Sequence, residues 1–147
     1  NIGEDRRMSE RVLRIAAGVA VDDTGRLLLV RKHGTDSFMQ PGGKLEPDEN
    51  GADCLVRELA EELGMRLGVG ELSFVGRFTA PAANEAGFSV DCDVFRIPAP
   101  DSIAVQAELA EAGWFDSAGL ESLAAAGRLA PLTRDNLSVF LGTTGAQ

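Results

Sequence analysis

Residues 41–64 constrain this chain more than any other stretch. Pro41-Gly42-Gly43 interrupts any regular helix and cannot lie inside a central strand, because proline fixes its own φ and lacks the N–H that a sheet ladder needs. Residues 46–62 then hold seven acids against one base, Arg57, so these 17 positions carry −6 of the chain's net −9. Asn50 or Gly51 is suited to open a helix there, and Gly64 to close it as a left-handed cap. With Glu58 as origin and about 100° per residue, Glu61 falls at about −60° and Glu62 at about +40°, whereas Leu59, Ala52, Leu63 and Val56 fall between about +100° and +160°. The pattern predicts a helix with an acidic face turned out and an apolar face laid on a core.

A length of 147 residues is that of one ordinary domain, and 44% hydrophobic with 25% charged residues excludes a disordered or fibrous chain. No apolar run nears the roughly 18 residues of a membrane span, and Glu4, Asp5, Arg6 and Arg7 do not resemble a signal peptide, so a cytoplasmic protein without a membrane partner is expected. The acidic balance disfavours a nucleic-acid polymer as partner. Cys54 and Cys92 stand apart from each other and from the single histidine, as reduced thiols do, rather than as a disulfide or a zinc site. Residues 1–10 are polar and unpatterned. They are expected to lie outside the fold, disordered or left over from expression, with Met8 as a natural start. Residues 11–141 are expected to form a single domain and residues 142–147 a frayed tail.

Residues 12–21, apart from Arg14, and 27–30 are apolar and flank Asp22-Asp23-Thr24-Gly25, which predicts a hairpin. Residues 72–79 and 88–97 have strand composition around a loop with Pro81 and Asn84. Residues 108–115 fit helix or strand. Residues 117–126 predict a helix stopped by Gly127, and Thr133 or Asp135 a cap for a last helix ending at Leu141.

Three carboxylates at i, i+3 and i+4 repel one another by about 0.2–0.5 kcal/mol per pair, so as structure alone the run is a solvated helix face with nothing to recommend it. A divalent cation reverses the sign. An all-oxygen donor set selects Mg²⁺ or Mn²⁺ over Zn²⁺ and leaves positions for water and phosphate. Gly42 and Gly43 let backbone approach a ligand closely, since no Cβ intervenes.

Gly43, five residues, Glu49, seven residues, then Arg57-Glu58-Leu59-Ala60-Glu61-Glu62-Leu63-Gly64-Met65 resembles the Nudix box at every defined position, and the Pro-Gly-Gly lead-in is also similar to that family. The resemblance implies an α/β (α+β) Nudix fold, a mixed β-sheet sandwiched between α-helices. It implies a Mg²⁺- or Mn²⁺-dependent hydrolase of a small-molecule nucleotide, in which water attacks a phosphorus of a nucleoside diphosphate linked to another moiety. By position, Glu61 and Glu62 become metal ligands, Glu58 a ligand or general base, the Gly43 carbonyl a further ligand, and Arg57 the residue that orients the glutamates together with Glu49. Glu58, Arg57 and Glu61 form the implied catalytic set.

A further acid from a later segment is implied at Glu108 or Glu111. Glu108, six residues before Trp114, is the one expected, and in an extended segment the two would face opposite sides. Arg31, Lys32, His33 and Lys44 are cations able to meet phosphates, of which Arg31 and Lys44, with the backbone of Gly42 and Gly43, are expected to bind substrate. Trp114 and Phe115 are expected in the core, and Cys54 as a small filler beside the acids. The implied substrate is a nucleoside triphosphate, including an oxidised one, cleaved to monophosphate and pyrophosphate. ADP-ribose, another nucleotide sugar or a dinucleotide is the alternative, to which Pro81, 16 residues past Met65, points. A sensor that binds without turnover is a third reading, against which the intact glutamates stand.

Overall fold

The computed structural model describes residues 11–145. Its strands are β1 (Val12–Val19), β2 (Leu27–Lys32), β3 (Gly42–Lys44), β4 (Ser73–Pro81), β5 (Ser89–Arg96) and β6 (Leu109–Phe115). Its helices are α1 (Gly51–Leu63), α2 (Ser117–Ala125), α3 (Pro131–Asp135) and α4 (Leu137–Gly145), with a 3₁₀ turn at Val69–Glu71. One sheet has the order β3-β1-β5-β4 and is mixed: β1 runs parallel to β5 and antiparallel to β3, and β4 is antiparallel to β5. A second sheet pairs β2 with β6, antiparallel.

The hairpin expected around Asp22 is corrected. Its turn is present, with Asp22 Oδ1 accepting from the backbone N–H of Thr24 at 3.0 Å and of Arg26 at 2.8 Å. Pairing beyond it stops at one bridge, Val21 with Leu27, and a bond from Leu28 N to Ala20 O. Both hydrogen-bonding edges of β1 are taken, by β3 and β5, so β2 leaves for the other sheet and meets β6. Residues 108–115, ambiguous by composition, are resolved as that partner strand.

Alternation along β1 and β2 sets the layers. Ala16, Ala20, Leu28 and Val30 pack with Leu55, Leu59 and Leu63 of α1. Their neighbours Ala17, Val19, Leu27 and Leu29 pack on the opposite side with Leu120 of α2, Leu132 of α3 and Phe140 of α4. Helices therefore cover both faces, and each fully buried leucine contributes about 1.5–3 kcal/mol relative to an exposed one. Trp114 and Phe115 pack at the edges of these two cores, as expected.

Helix α1 starts and stops where its sequence directs. The Asn50 side chain accepts from Asp53 N at 2.8 Å, and Gly64 has φ 68°, with its N–H donating to Ala60 O. The sorting of its faces is less clean than the wheel predicts. Glu62 is 5% exposed, on the same side as Cys54, Leu55 and Leu59, while Val56 is only half-buried. At the C-terminus neither Thr133 nor Asp135 caps a helix. Pro131 occupies the first turn of α3 behind Ala130, where its missing N–H costs nothing, and α4 continues to Gly145 rather than stopping at Leu141. Residues 1–10 lie outside the described residues.

Candidate active site

The loop before α1 is drawn onto β1 by two glycines. Gly42 has φ 149°, and a Cβ there would collide with the Ala16 carbonyl, so only glycine lets β3 lie this close to its neighbour. A Cβ on Gly43 would collide with the Glu58 carboxylate, so the same lack of a side chain makes room for an acid from α1.

Arg57 ties that loop to the helix. Its Nε and Nη2 donate to the two Glu49 oxygens at 2.8 and 2.9 Å, Nη2 also donates to Lys44 O at 3.1 Å, and Nη1 donates to Glu58 at 3.1 Å and Glu61 at 3.4 Å. The bidentate grip holds the Glu49 carboxyl down at about 2 and raises the guanidinium above its ordinary value, so both stay charged. The backbone N–H of Glu46 closes the loop by donating to Glu49 at 2.9 Å.

Glu58, Glu61, Glu62 and Glu108 line one cleft of about 220 Å³, together with Lys32, Lys44, Gly43 and Ala107. Glu62 accepts from Gly42 N at 3.3 Å and makes no ion pair among the described residues. Burial first, and Glu58 beside it second, push its carboxyl up to about 8. Burial also raises Glu58, against the pull of Arg57.

Glu108 reaches the cleft through the end of α1. The last turn of a helix leaves carbonyls without internal partners, and here Gln106 N donates to Glu62 O at 2.9 Å and Ala104 N to Leu63 O at 3.4 Å. The incoming chain thus runs across the helix terminus, turns at Ala107 with φ 57°, and delivers Glu108 opposite the box acids. Glu111 lies elsewhere, with Arg31 Nε donating to it at 2.8 Å.

Arg31 is correspondingly absent from the cleft. Its Nη1 donates to Thr35 O at 2.7 Å, and Lys32 takes the place expected for it. Period 2 carries the signal: Leu28 and Val30 face α1, so the next residue in phase is Lys32. Lys44 lies at the cleft as expected and forms a 3.5 Å pair with Glu85. His33 is exposed, with its backbone N–H donating to Glu108 O at 2.9 Å. Pro81 ends β4 opposite Ser89 and does not line the cleft.

The donors fit a hard cation. Four carboxylates and the Gly43 backbone line one cleft, a Cβ on Gly43 would run into one of those carboxylates, and the most buried acid, Glu62, forms no ion pair among the described residues. Cys54 is no competing ligand, since burial pushes its thiol up to about 12 and its Sγ points to Gly43 O at 3.4 Å. Among the described residues no three acids, cysteines or histidines are gathered around one point.

The chain is similar to several known proteins. A MutT-like protein of Streptomyces ambofaciens is 43% identical over 63 residues, which is 43% of this chain and 41% of that protein. An 8-oxo-dGTP diphosphatase of Haemophilus influenzae is 32% identical over 62 residues, 40% of this chain and 46% of that protein. The chain thus matches less than half the length of these curated relatives. The solution structure of the E. coli ORF135 protein superposes with a TM-score of 0.66 at 26% identity, covering 93% of this chain and 94% of that one. Residues 12–135 match the model of the NUDIX domain. With that match extending from β1 to α3 and the box acids gathered at one cleft, the chain belongs to the Nudix family.

Proposed function

We propose that this chain is a metal-dependent pyrophosphohydrolase acting on a nucleoside diphosphate linked to another moiety, with nucleoside triphosphates as its first substrate class. One observation carries the reading: Glu58, Glu61, Glu62 and Glu108 line a single cleft with Lys32 and Lys44. Acids so placed repel a pyrophosphate unless a cation stands between them. Glu61, Glu62, Glu108 and the Gly43 carbonyl are the groups to hold it. Mg²⁺ or Mn²⁺ bound there supplies neutralisation of phosphate charge and a more acidic water.

Glu58 is the base in this scheme. Arg57 fixes one of its oxygens, and Glu49 and the Lys44 carbonyl fix Arg57, so the carboxylate is held in one orientation. A water oxygen bonds to phosphorus, its proton passes to Glu58, and the bridging P–O bond breaks to release pyrophosphate and a nucleoside monophosphate. Lys32 and Lys44 stabilise the charge gathering on the phosphate oxygens. The name of the Haemophilus relative supports the triphosphate class, and Pro81, placed away from the cleft, lends nothing to ADP-ribose.

The test is a hydrolysis screen over nucleoside triphosphates, 8-oxo-dGTP, ADP-ribose, NADH, CoA and dinucleoside polyphosphates, with Mg²⁺, Mn²⁺ or excess chelator and with products identified. Monophosphate and pyrophosphate from a triphosphate, lost in chelator, is the expected result. Undiminished turnover in chelator, or no turnover of any compound, rejects the proposal.

A further inference from the structure

The non-glycine residues with a left-handed backbone among the described residues are Asp48, φ 68°, and Ala107, φ 57°. Each stands directly before a carboxylate of the site, Glu49 in the first case and Glu108 in the second. Asp48 has a local reason for its conformation. It follows Pro47 in a turn closed by Glu49 N donating to Glu46 O at 3.0 Å, and aspartate is among the few residues that tolerate this region. Ala107 has no such reason. Its turn is closed by Leu109 N donating to Gln106 O at 3.2 Å, with positive φ at the first central residue and not the second, a position that glycine dominates. Backbone strain of this kind persists only where the surroundings over-determine it.

Those surroundings are firm on one side and thin on the other. Downstream, Glu108 O accepts from His33 N at 2.9 Å, and Leu109 is buried as the first residue of β6. Upstream, Ala104 to Glu108 are all exposed, and Ile103 packs half-buried on the core. The chain rests there on the end of α1, through Gln106 N donating to Glu62 O at 2.9 Å and Ala104 N to Leu63 O at 3.4 Å. Seating it brings Glu108 into the cleft with Glu58, Glu61 and Glu62, where like charges repel. Backbone strain and carboxylate repulsion thus act in one direction, against a few backbone hydrogen bonds and one isoleucine.

We propose, resting on the reading of the cleft as a divalent-cation site, that Ala107 is a positioning residue which makes residues 103–108 a cation-operated catch. Without a cation the turn spends more time released: Ala107 relaxes to an ordinary φ, the Gln106 N–H leaves Glu62 O, and Glu108 swings away from the box acids. Cation binding by Glu108 together with Glu61 and Glu62 offsets the repulsion and keeps the strained turn on the helix. Glu62 takes part twice, with its carboxylate in the cleft and its carbonyl under the catch, so the two events are linked through one residue. Alanine rather than glycine at position 107 keeps the seated state conditional on the cation.

Backbone amide exchange in the full ¹⁵N-labelled chain, without substrate, measures this. In wild type, Mg²⁺ should slow exchange at Gln106 and Leu109 at least about tenfold relative to excess chelator, and more than it slows Gly64 or Val94, which report helix fraying and global unfolding. Glycine and asparagine both accept the left-handed region, so Ala107→Gly and Ala107→Asn should each slow these two amides about fivefold in chelator and narrow the response to Mg²⁺. Glu108→Gln, which removes a charge from the cleft, should also slow them in chelator and remove most of the response. Equal exchange in Mg²⁺ and chelator in wild type, a full response in Glu108→Gln, or exchange in either Ala107 variant as fast as in wild type each overturns the proposal. Should a variant fail to fold, the wild-type comparison decides. A catch that responds to Mg²⁺ in a protein that hydrolyses no nucleotide stands while the hydrolase falls. Cation-dependent hydrolysis with amides indifferent to Mg²⁺ does the reverse.

Discussion

Glu61 and Glu62 are adjacent on one helix but live in different media, the first with its side chain 54% exposed and the second buried. A cation that binds the folded cleft and not the unfolded chain stabilises by about 2.7 kcal/mol at a hundredfold excess over its Kd. The melting temperature should therefore rise with Mn²⁺, and rise less in Glu62→Gln, whose amide oxygen still accepts from Gly42. Equal rises would mean that the ions act elsewhere. Glu108 and Glu111 separate in the same way, one in the cleft and one on Arg31. Glu108→Gln should slow turnover at least about tenfold, or about 1.4 kcal/mol of transition-state stabilisation. Glu111→Gln should leave turnover alone and cost at most about 1 kcal/mol of stability, because that pair is half-exposed. Reversed effects would make Glu111 the anchor.

Strand β3 and helix α1 meet at two glycines whose neighbours differ in what can give way. An alanine at position 42 faces the Ala16 carbonyl and keeps a φ that L-residues avoid. Backbone on both sides cannot yield, so Gly42→Ala should lose about 3 kcal/mol or more in urea unfolding. An alanine at position 43 faces only the far end of Glu58, which can swing aside. Gly43→Ala should change stability by less than about 1 kcal/mol yet slow turnover more than tenfold, because Glu58 is displaced. Similar stability losses in the two variants would show that Gly43 serves packing and not the cleft. The start of α1 offers a third measure: Asn50→Ala removes the acceptor for Asp53 N and should cost about 1 kcal/mol.

Across the whole molecule, stability rests on two cores separated by β1 and β2, and the C-terminal helices close one of them. Phe140 of α4 is fully buried and meets Phe78 edge to face at 5.6 Å. Phe140→Ala should cost about 3–5 kcal/mol, read from thermal and urea unfolding. A cost under about 1 kcal/mol would mean that α4 is an appendage rather than part of the core. The cleft lies on the side of the other core, so any activity loss in this variant should track the unfolded fraction and vanish at low temperature.

Features written into neighbouring residues are legible in the amino-acid sequence itself. Asn50 and Gly64 bound α1, the Gly43 to Met65 spacing marks the acidic segment, and Asp22 shapes its turn, because each depends on contacts within a few positions of the chain. What β1 pairs with is not local, so the hairpin expectation fails once β3 and β5 occupy both edges. Three placements are likewise decided by the tertiary structure. Glu62 turns inward because the sheet covers a wider arc of α1 than its leucines alone mark out. Glu108 arrives because distant N–H groups satisfy the helix's last carbonyls. Gln40 Nε2, buried with no hydrogen-bond partner among the described residues, lies where β1, the loop before β3 and α3 enclose a cavity. Periodicity and capping are properties of a sequence, whereas a strand edge, a burial depth or a cavity belongs to several segments at once and leaves no mark on any of them alone.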